Sequence, residues 1–122
     1  MDLKTIADAL VEGCRTGREM ENLGRLYADT AVSVEAVGME GMGREAKGLD
    51  AIRGKHEWWN ANNEMTGGSV SDPLLHGDDR FAVIFEAEGR DKASGKAFSM
   101  KEVAIYHVAD GKIVREEFFY AM

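Results

Sequence analysis

The chain is short of every residue type that staples a small fold from outside its core. Its one cysteine, Cys14, has no second thiol to pair with among the 122 residues, and it falls at helical spacing from Ala7 and Leu10, as a small buried apolar residue would. Three scattered histidines, His56, His76 and His107, lack the paired spacing of a metal centre, so no metal and no cofactor is expected. Long apolar runs are also missing. None approaches the roughly 18 residues of a membrane span, and residues 1–15 have no basic start followed by an apolar stretch. The expectation is a cytoplasmic protein with neither signal peptide nor membrane contact. Basic charge is scarce as well: the net charge is -7 and the isoelectric point about 4.9. The lysines and arginines form no stripe, which argues against nucleic acid as a partner.

What is present suits one globular domain over residues 1–122, long enough to bury roughly two thirds of its unfolded surface. Leu3, Ile6, Ala7, Leu10 and Cys14 mark a first amphipathic helix behind an Asp2 cap, ending between Gly13 and Gly17. Met20, Leu23, Leu26 and Tyr27 mark a second, and Ala31 to Val37 turns to extended structure. The stretch from Gly38 to Gly43 reads as a loop in which Met39 and Met42 form a flap; its glycines lack the spacing of a phosphate cradle. Gly48 to Met65 reads as a third helix with Leu49, Ile52, His56 and Trp59 on one face, stopped by Gly67 and Gly68. A strand follows from Ser69 to Leu75, broken at Asp72-Pro73 as an edge or bend would be. Three strong strands complete the chain: Arg80 to Arg90, Lys96 to Val108 and Lys112 to Ala121. The fold class is therefore α+β, with three helices preceding a curved antiparallel sheet and closing a conical pocket against it.

Turn geometry fixes which strand residues share a face. A four-residue loop closed by Asp91 and Lys96 sets Phe85 opposite Glu102, Val83 opposite Ala104 and Phe81 opposite Tyr106, with Glu86 meeting Lys101 on the other face. For the last hairpin we take a three-residue loop, Ala109-Asp110-Gly111. It sets Tyr106 opposite Val114, Ala104 opposite Glu116 and Glu102 opposite Phe118. One face then carries Phe81, Val83, Phe85, Phe98, Met100, Glu102, Ala104, Tyr106, Val114, Glu116, Phe118 and Tyr120, an aromatic surface with carboxylates and phenols suited to a small apolar or oxygenated ligand. The other carries Ile84, Val103, Ile105, Ile113 and Phe119 among charges, a face that a homodimer would cover.

With these elements in order, the chain resembles the SnoaL-like and ketosteroid isomerase-like branch of the nuclear transport factor two superfamily. The residues that carry the resemblance are Leu26-Tyr27-Ala28-Asp29-Thr30-Ala31-Val32, Gly48-Leu49-Asp50-Ala51-Ile52-Arg53 and Asp110-Gly111-Lys112-Ile113-Val114. The resemblance implies a conical cavity, no cofactor and dimerisation through the outer sheet face. It also places a carboxylate base at Glu35. The tyrosine and aspartic acid partners of steroid isomerisation fall on Leu10 or Val11 and on Ala104, which excludes that mechanism.

Several residues carry chemistry in this reading, each beside a plainer one. Glu102, flanked by Phe85 and Phe118, is the leading acid or base, or else a carboxylate tied to Arg53. Glu116 lies diagonally across from it at roughly 7 to 8 Å between β-carbons. Glu35 follows from the resemblance, but it points outward if Val32 and Val34 face the core. His56 is a base or a satisfied core histidine. Trp59, Phe85, Met100, Tyr106, Phe118 and Tyr120 are ligand-binding walls and donors, or packing alone. Two functions follow. One is a cofactor-free lyase, isomerase or cyclase working by a buried carboxylate; the other is a non-catalytic dimeric binding or assembly module.

Overall fold

The computed structural model describes residues 1–39, 41 and 43–121. The flap expected from Met39 and Met42 lies outside what is described, which includes neither Met42 nor the side chain of Met39. Helix α1 spans Leu3–Thr16. The Asp2 carboxylate accepts the Thr5 N–H at 2.9 Å at its start, and Gly17 closes it in the left-handed region with φ 74°. Helix α2, Glu19–Leu26, crosses α1 so closely that a β-carbon on Gly13 would come within 2.0 Å of Asn22 Nδ2. Only glycine fits there, and the buried Asn22 amide donates to the Ala9 carbonyl.

Strands β1 (Tyr27–Met39) and β2 (Gly43–Lys47) come next, so two strands precede helix α3 (Leu49–Asn62) rather than following it. Helix α3 is shorter than the sequence reading. Strand β3 takes over at Asn63 and runs to Val70 with a bulge at Thr66; Gly67 and Gly68 pair with Glu88 and Ala87 of β5 instead of ending the helix. The strand expected over Ser69 to Leu75 is in fact β3 and a separate β4 (Leu74–His76), both lying along β5 (Arg80–Asp91). The break falls at Asp72-Pro73 on the sheet edge, where the missing proline donor is harmless. Strands β6 (Ala97–Ala109) and β7 (Lys112–Phe119) complete a sheet of order β2-β1-β7-β6-β5-β3. The sheet is mixed, because β1 lies parallel to β7; only the remaining pairs are antiparallel.

The first long hairpin has the expected register throughout, closed by the Asp91 N–H to Lys96 carbonyl bond. The second does not. Asp110 and Gly111 both have positive φ, 53° and 73°, and form a two-residue turn that pairs Ala109 with Lys112. That turn alone would put every later β7 side chain on the wrong face. A bulge at Val114, between the Val108–Ile113 and His107–Arg115 pairs, adds one more residue and restores the parity. From Arg115 onward the faces are those expected, but each partner has slid by two: Glu116 stands opposite Tyr106, and Phe118 opposite Ala104. Between turn and bulge the expectation is inverted. Ile113, expected outside, is fully buried in the core, and Val114, expected in the pocket, is the residue the bulge leaves unpaired.

The core sits where Ile6, Leu10, Leu23, Leu26 and Ile52 of the helices meet Phe81, Val83, Ala104, Tyr106 and Ile113 of the sheet. Burial fades along the inner face, from Phe81 and Tyr106, fully buried and stacked at 4.8 Å, to half-buried Phe85, Glu102, Met100 and Phe98 beneath α3.

Candidate functional site

The parallel pairing of β1 with β7 decides the site, because it sets Ser33 beside Glu116 and Val34 beside Glu117. Neighbours in register share a face, so Ser33 and Glu35 point toward the helices and the valines point away. The side taken by Glu35, left open by its alternation with Val32 and Val34, is thereby the inner one: Val34 is buried on the outer side, and Ser33 is fully buried within. The inner face becomes a lattice of rows. Ser33, Glu116, Tyr106 and Phe81 form the deepest; Phe118, Ala104 and Val83 form the next; Glu102 and Phe85 lie beyond.

Helix α3 brings the cation. Lys55 stands three residues after buried Ile52 and four before Trp59, so it shares their face and reaches β1. Its ammonium donates to Glu35 Oε1 at 2.8 Å and to the Ser33 hydroxyl, and lies 5.0 Å from the Phe118 ring centre. Tyr120 donates to the other Glu35 oxygen at 3.1 Å. Glu35 is thus held by both a cation and a phenol, and the Glu35 charge in turn assists burial in raising the Tyr120 hydroxyl above its ordinary pKa.

Glu102 has no hydrogen bond or ion pair among the described residues, and Arg53 is not joined to it. Burial against Phe85, assisted by the Glu35 charge and opposed by Lys55, pushes its carboxyl up to about 7. The diagonal pair with Glu116 is not formed. The bulge carries Glu116 two rows away, four residues along the ladder or about 13 Å between backbones. For the same reason Phe118 stands opposite Ala104 and does not flank Glu102 directly.

Glu116 is 1% exposed. Its Oε2 accepts the Tyr27 hydroxyl at 2.6 Å, while its Oε1 has no partner among the described residues. Burial and the Glu116 charge raise the hydroxyls of Tyr27 and Tyr106 well above the ordinary phenol value, so both remain donors. Burial lowers the pKa of His56 and keeps the imidazole neutral, an effect that Glu116 opposes and Lys55 reinforces. Cys14 is inert: burial lifts its thiol to about 12. Trp59 packs edge-on against Phe98 at 5.7 Å, and the Phe98 ring lies over Gly89, where a β-carbon would come within 2.7 Å of it. Met100 stands opposite Ala87, half-buried on the same face.

The structure therefore gathers Glu35, Tyr120 and Phe118 around Lys55, and it places Tyr106 with Glu116 in the deepest row. Sequence reasoning missed Lys55, Ser33 and Tyr27 as polar partners. The helical spacing from Ile52 was the available signal for Lys55; the parallel β1–β7 pairing that exposes the other two leaves no local mark. A concavity of about 590 Å³ also opens along the sheet between Ser69, Glu86, Glu88, Ser99 and Lys101, with Met100 the expected binding residue in its lining.

The SnoaL-like domain family matches residues 1–120, and the chain belongs to that family. A solved Mesorhizobium loti protein named for SnoaL-like polyketide cyclases is 37% identical, with 98% of this chain and 100% of that one aligned at a TM-score of 0.89. Less similar solved structures share the fold. A Burkholderia pseudomallei protein of the nuclear transport factor two-like type is 16% identical over 99% of this chain and 92% of its own, with TM-score 0.78. A Catenulispora acidiphila protein with a ketosteroid isomerase-like fold, solved in complex with trimethylamine, is 19% identical over 96% and 85%, with TM-score 0.73. No curated protein matches the chain. No helix is long and apolar enough to cross a membrane among the described residues.

Proposed function

We propose that the chain binds a small apolar carbonyl compound between α3 and the sheet and moves a proton on it, Glu102 acting as the base and then the acid. The observation that carries this reading is the state of Glu102: half-buried, unpartnered, beside Phe85, and poised near neutrality. Its carboxylate would take a proton from the carbon next to the carbonyl, leaving an enolate whose charge falls on oxygen. Two of the three Lys55 N–H donors are held by Glu35 and Ser33. The third, without an acceptor among the described residues, would meet that oxygen. Isomerisation, elimination and aldol-type cyclisation all begin with this step, so the reading covers the family's chemistry without selecting among its substrates. Ile84, Val103 and Ile105, half-buried, and Phe119, 53% exposed, are in the same reading covered by a second copy of the chain.

The test needs no knowledge of the natural substrate. Exchange of the protons next to the carbonyl of tetralone, a small bicyclic ketone, for deuterium can be followed by NMR. The protein should accelerate exchange with a rate that climbs to a plateau above pH 7, and Glu102→Gln should abolish the acceleration. Equal rates for Glu102→Gln and the wild type would remove Glu102 from the chemistry and leave a binding module.

A further inference from the structure

Glu35 is the carboxylate that the resemblance marks as a base, yet the proposed proton transfer runs through Glu102, and the structure gives Glu35 different company. Carried on from the Ser33–Glu116 and Val34–Glu117 pairs, the parallel register sets Glu35 in the row of Phe118, one row from Glu102. Both of its oxygens are engaged. Oε1 accepts the Lys55 ammonium at 2.8 Å and Oε2 accepts the Tyr120 hydroxyl at 3.1 Å, whereas neither Glu102 oxygen has a donor among the described residues. Three parts of the chain therefore converge on one carboxylate: β1 carries it, α3 brings the cation, and the residue just past β7 brings the phenol. The Lys55 and Glu35 side chains are 20% and 27% exposed, so the ammonium is reached from solvent without opening the sealed core around Glu116. A lysine ammonium has three rotatable donors on a flexible stem and no direction of its own. Here Glu35 and Ser33 fix two of the donors, and the Phe118 ring, 5.0 Å away, closes one side.

We infer that Glu35 is a positioning residue and not the base: clamped between Lys55 and Tyr120, its carboxylate aims the Lys55 ammonium at the substrate oxygen and supplies the negative charge that faces Glu102. This inference rests on the proposed binding of a carbonyl compound at Glu102. Tyr120 acts one step further out, by holding the plane of the Glu35 carboxylate. The charge matters because Glu102 has no partner of its own among the described residues. The titratable groups that face it are Glu35 from β1, Lys55 from α3, Glu116 and Tyr120 from β7 and its end, and Tyr106 of its own strand, while β5 presents Phe85. After burial, the Glu35 charge does most to raise the Glu102 carboxyl, against the pull of Lys55. One carboxylate thus keeps the Lys55 cation on its own side and keeps Glu102 able to exchange a proton near neutrality. Without it, Lys55 would turn to Glu102 and hold that carboxylate ionised at lower pH.

Carboxyl-carbon NMR of glutamate-labelled protein reads the titration midpoint of Glu102 with no substrate present. Removing a like charge and releasing Lys55 both favour ionised Glu102, so in Glu35→Gln its midpoint should fall from about 7 by about one pH unit or more. Deuterium exchange into tetralone should show the same downward move in its pH profile, with a plateau rate about tenfold or more below the wild type because the ammonium is no longer aimed. An unmoved Glu102 midpoint or an unchanged plateau would overturn the inference. So would exchange that survives Glu102→Gln and is lost at every pH in Glu35→Gln, since Glu35 would then be the base. If Glu35→Gln does not fold, the wild type still decides: the Lys55 ammonium protons should show a nuclear Overhauser contact to the Phe118 ring, and a freely rotating ammonium without one would overturn the clamp. A midpoint that falls in Glu35→Gln while the wild type accelerates no exchange would sink the proton transfer alone. Exchange by the wild type with a Glu102 midpoint that Glu35→Gln leaves in place would sink the positioning role alone.

Discussion

Replacing Glu102 by glutamine should stabilise the protein, and by an amount that depends on pH in a definite direction. The carboxyl titrates at about 7 in the folded chain against an ordinary 4.5. Its folded pKa is raised, so the folded state holds the proton more tightly than the unfolded state does. Its contribution is therefore fully present below about pH 4.5 and is lost as the pH rises through 7. Each pKa unit corresponds to about 1.4 kcal/mol, which sets an upper bound of about 3.5 kcal/mol on the penalty of ionised Glu102 at pH 8. Partial exposure lets solvent screen the charge, so about 1–3 kcal/mol is the working range. Glutamine keeps the volume and removes the charge. Thermal unfolding followed by circular dichroism should give a higher Tm for Glu102→Gln at pH 8, by roughly 3–5 °C per kcal/mol for a chain of this size. The difference between variant and wild type should shrink toward zero near pH 4.5, and using that difference cancels the titration of the other carboxylates. A variant less stable than the wild type at pH 8, or a difference independent of pH, would show that the Glu102 carboxylate is held by a partner and is not poised for chemistry.

Two further outcomes probe what surrounds it. Tyr27→Phe removes the one donor to buried Glu116 among the described residues and should destabilise by about 2 kcal/mol in urea titration; adding Glu116→Met should return much of that loss, since an apolar pair of similar volume leaves no orphaned charge, and purely additive losses would contradict the coupling. Ile105→Lys on the outer face should yield monomers in sedimentation where the wild type is dimeric, and a monomeric wild type at micromolar concentration would end the proposal of a covering second copy.

The helices, the first long hairpin and the polarity of the inner face were all legible in the sequence, because each is dictated by local information: apolar spacing, a cap at Asp2, and a four-residue loop whose length sets parity. Helix α3 was overextended because nothing local marks Asn63 as its end; pairing of Asn63 with Asp91 across the sheet does. The orientation of Glu35 was unreadable for a related reason. Alternation shows that Ser33 and Glu35 share a face opposite to Val32 and Val34, but which face is inner depends on the parallel contact with β7, a strand some eighty residues later.

The last hairpin shows how a local error can leave the face assignments largely intact while displacing a site. Asp110-Gly111 permits two loop lengths, and the longer was expected; the structure has the shorter, followed by a bulge at Val114. Two one-residue changes in the same direction restore parity, so Glu116, Phe118 and Tyr120 stay on the inner face. They do not restore register, so Glu116 moves from beside Ala104 to beside Tyr106 and leaves Glu102 without a carboxylate neighbour on its own strand pair. The chemistry changes with that displacement. Two adjacent carboxylates would share a proton and act as a coupled dyad. Separated by two rows they no longer share a proton, although burial, with the Glu116 charge adding to it, still raises the Glu102 carboxyl to about 7; Glu116 itself is bound to Tyr27. The difference between a half-buried carboxylate at Glu102 and a fully buried, Tyr27-bound one at Glu116 thus rests on the two-residue turn together with a single unpaired valine. Deleting Val114 would invert the faces of Glu116, Phe118 and Tyr120 together, exposing a charged core carboxylate to the outer side and burying Glu117 in its place.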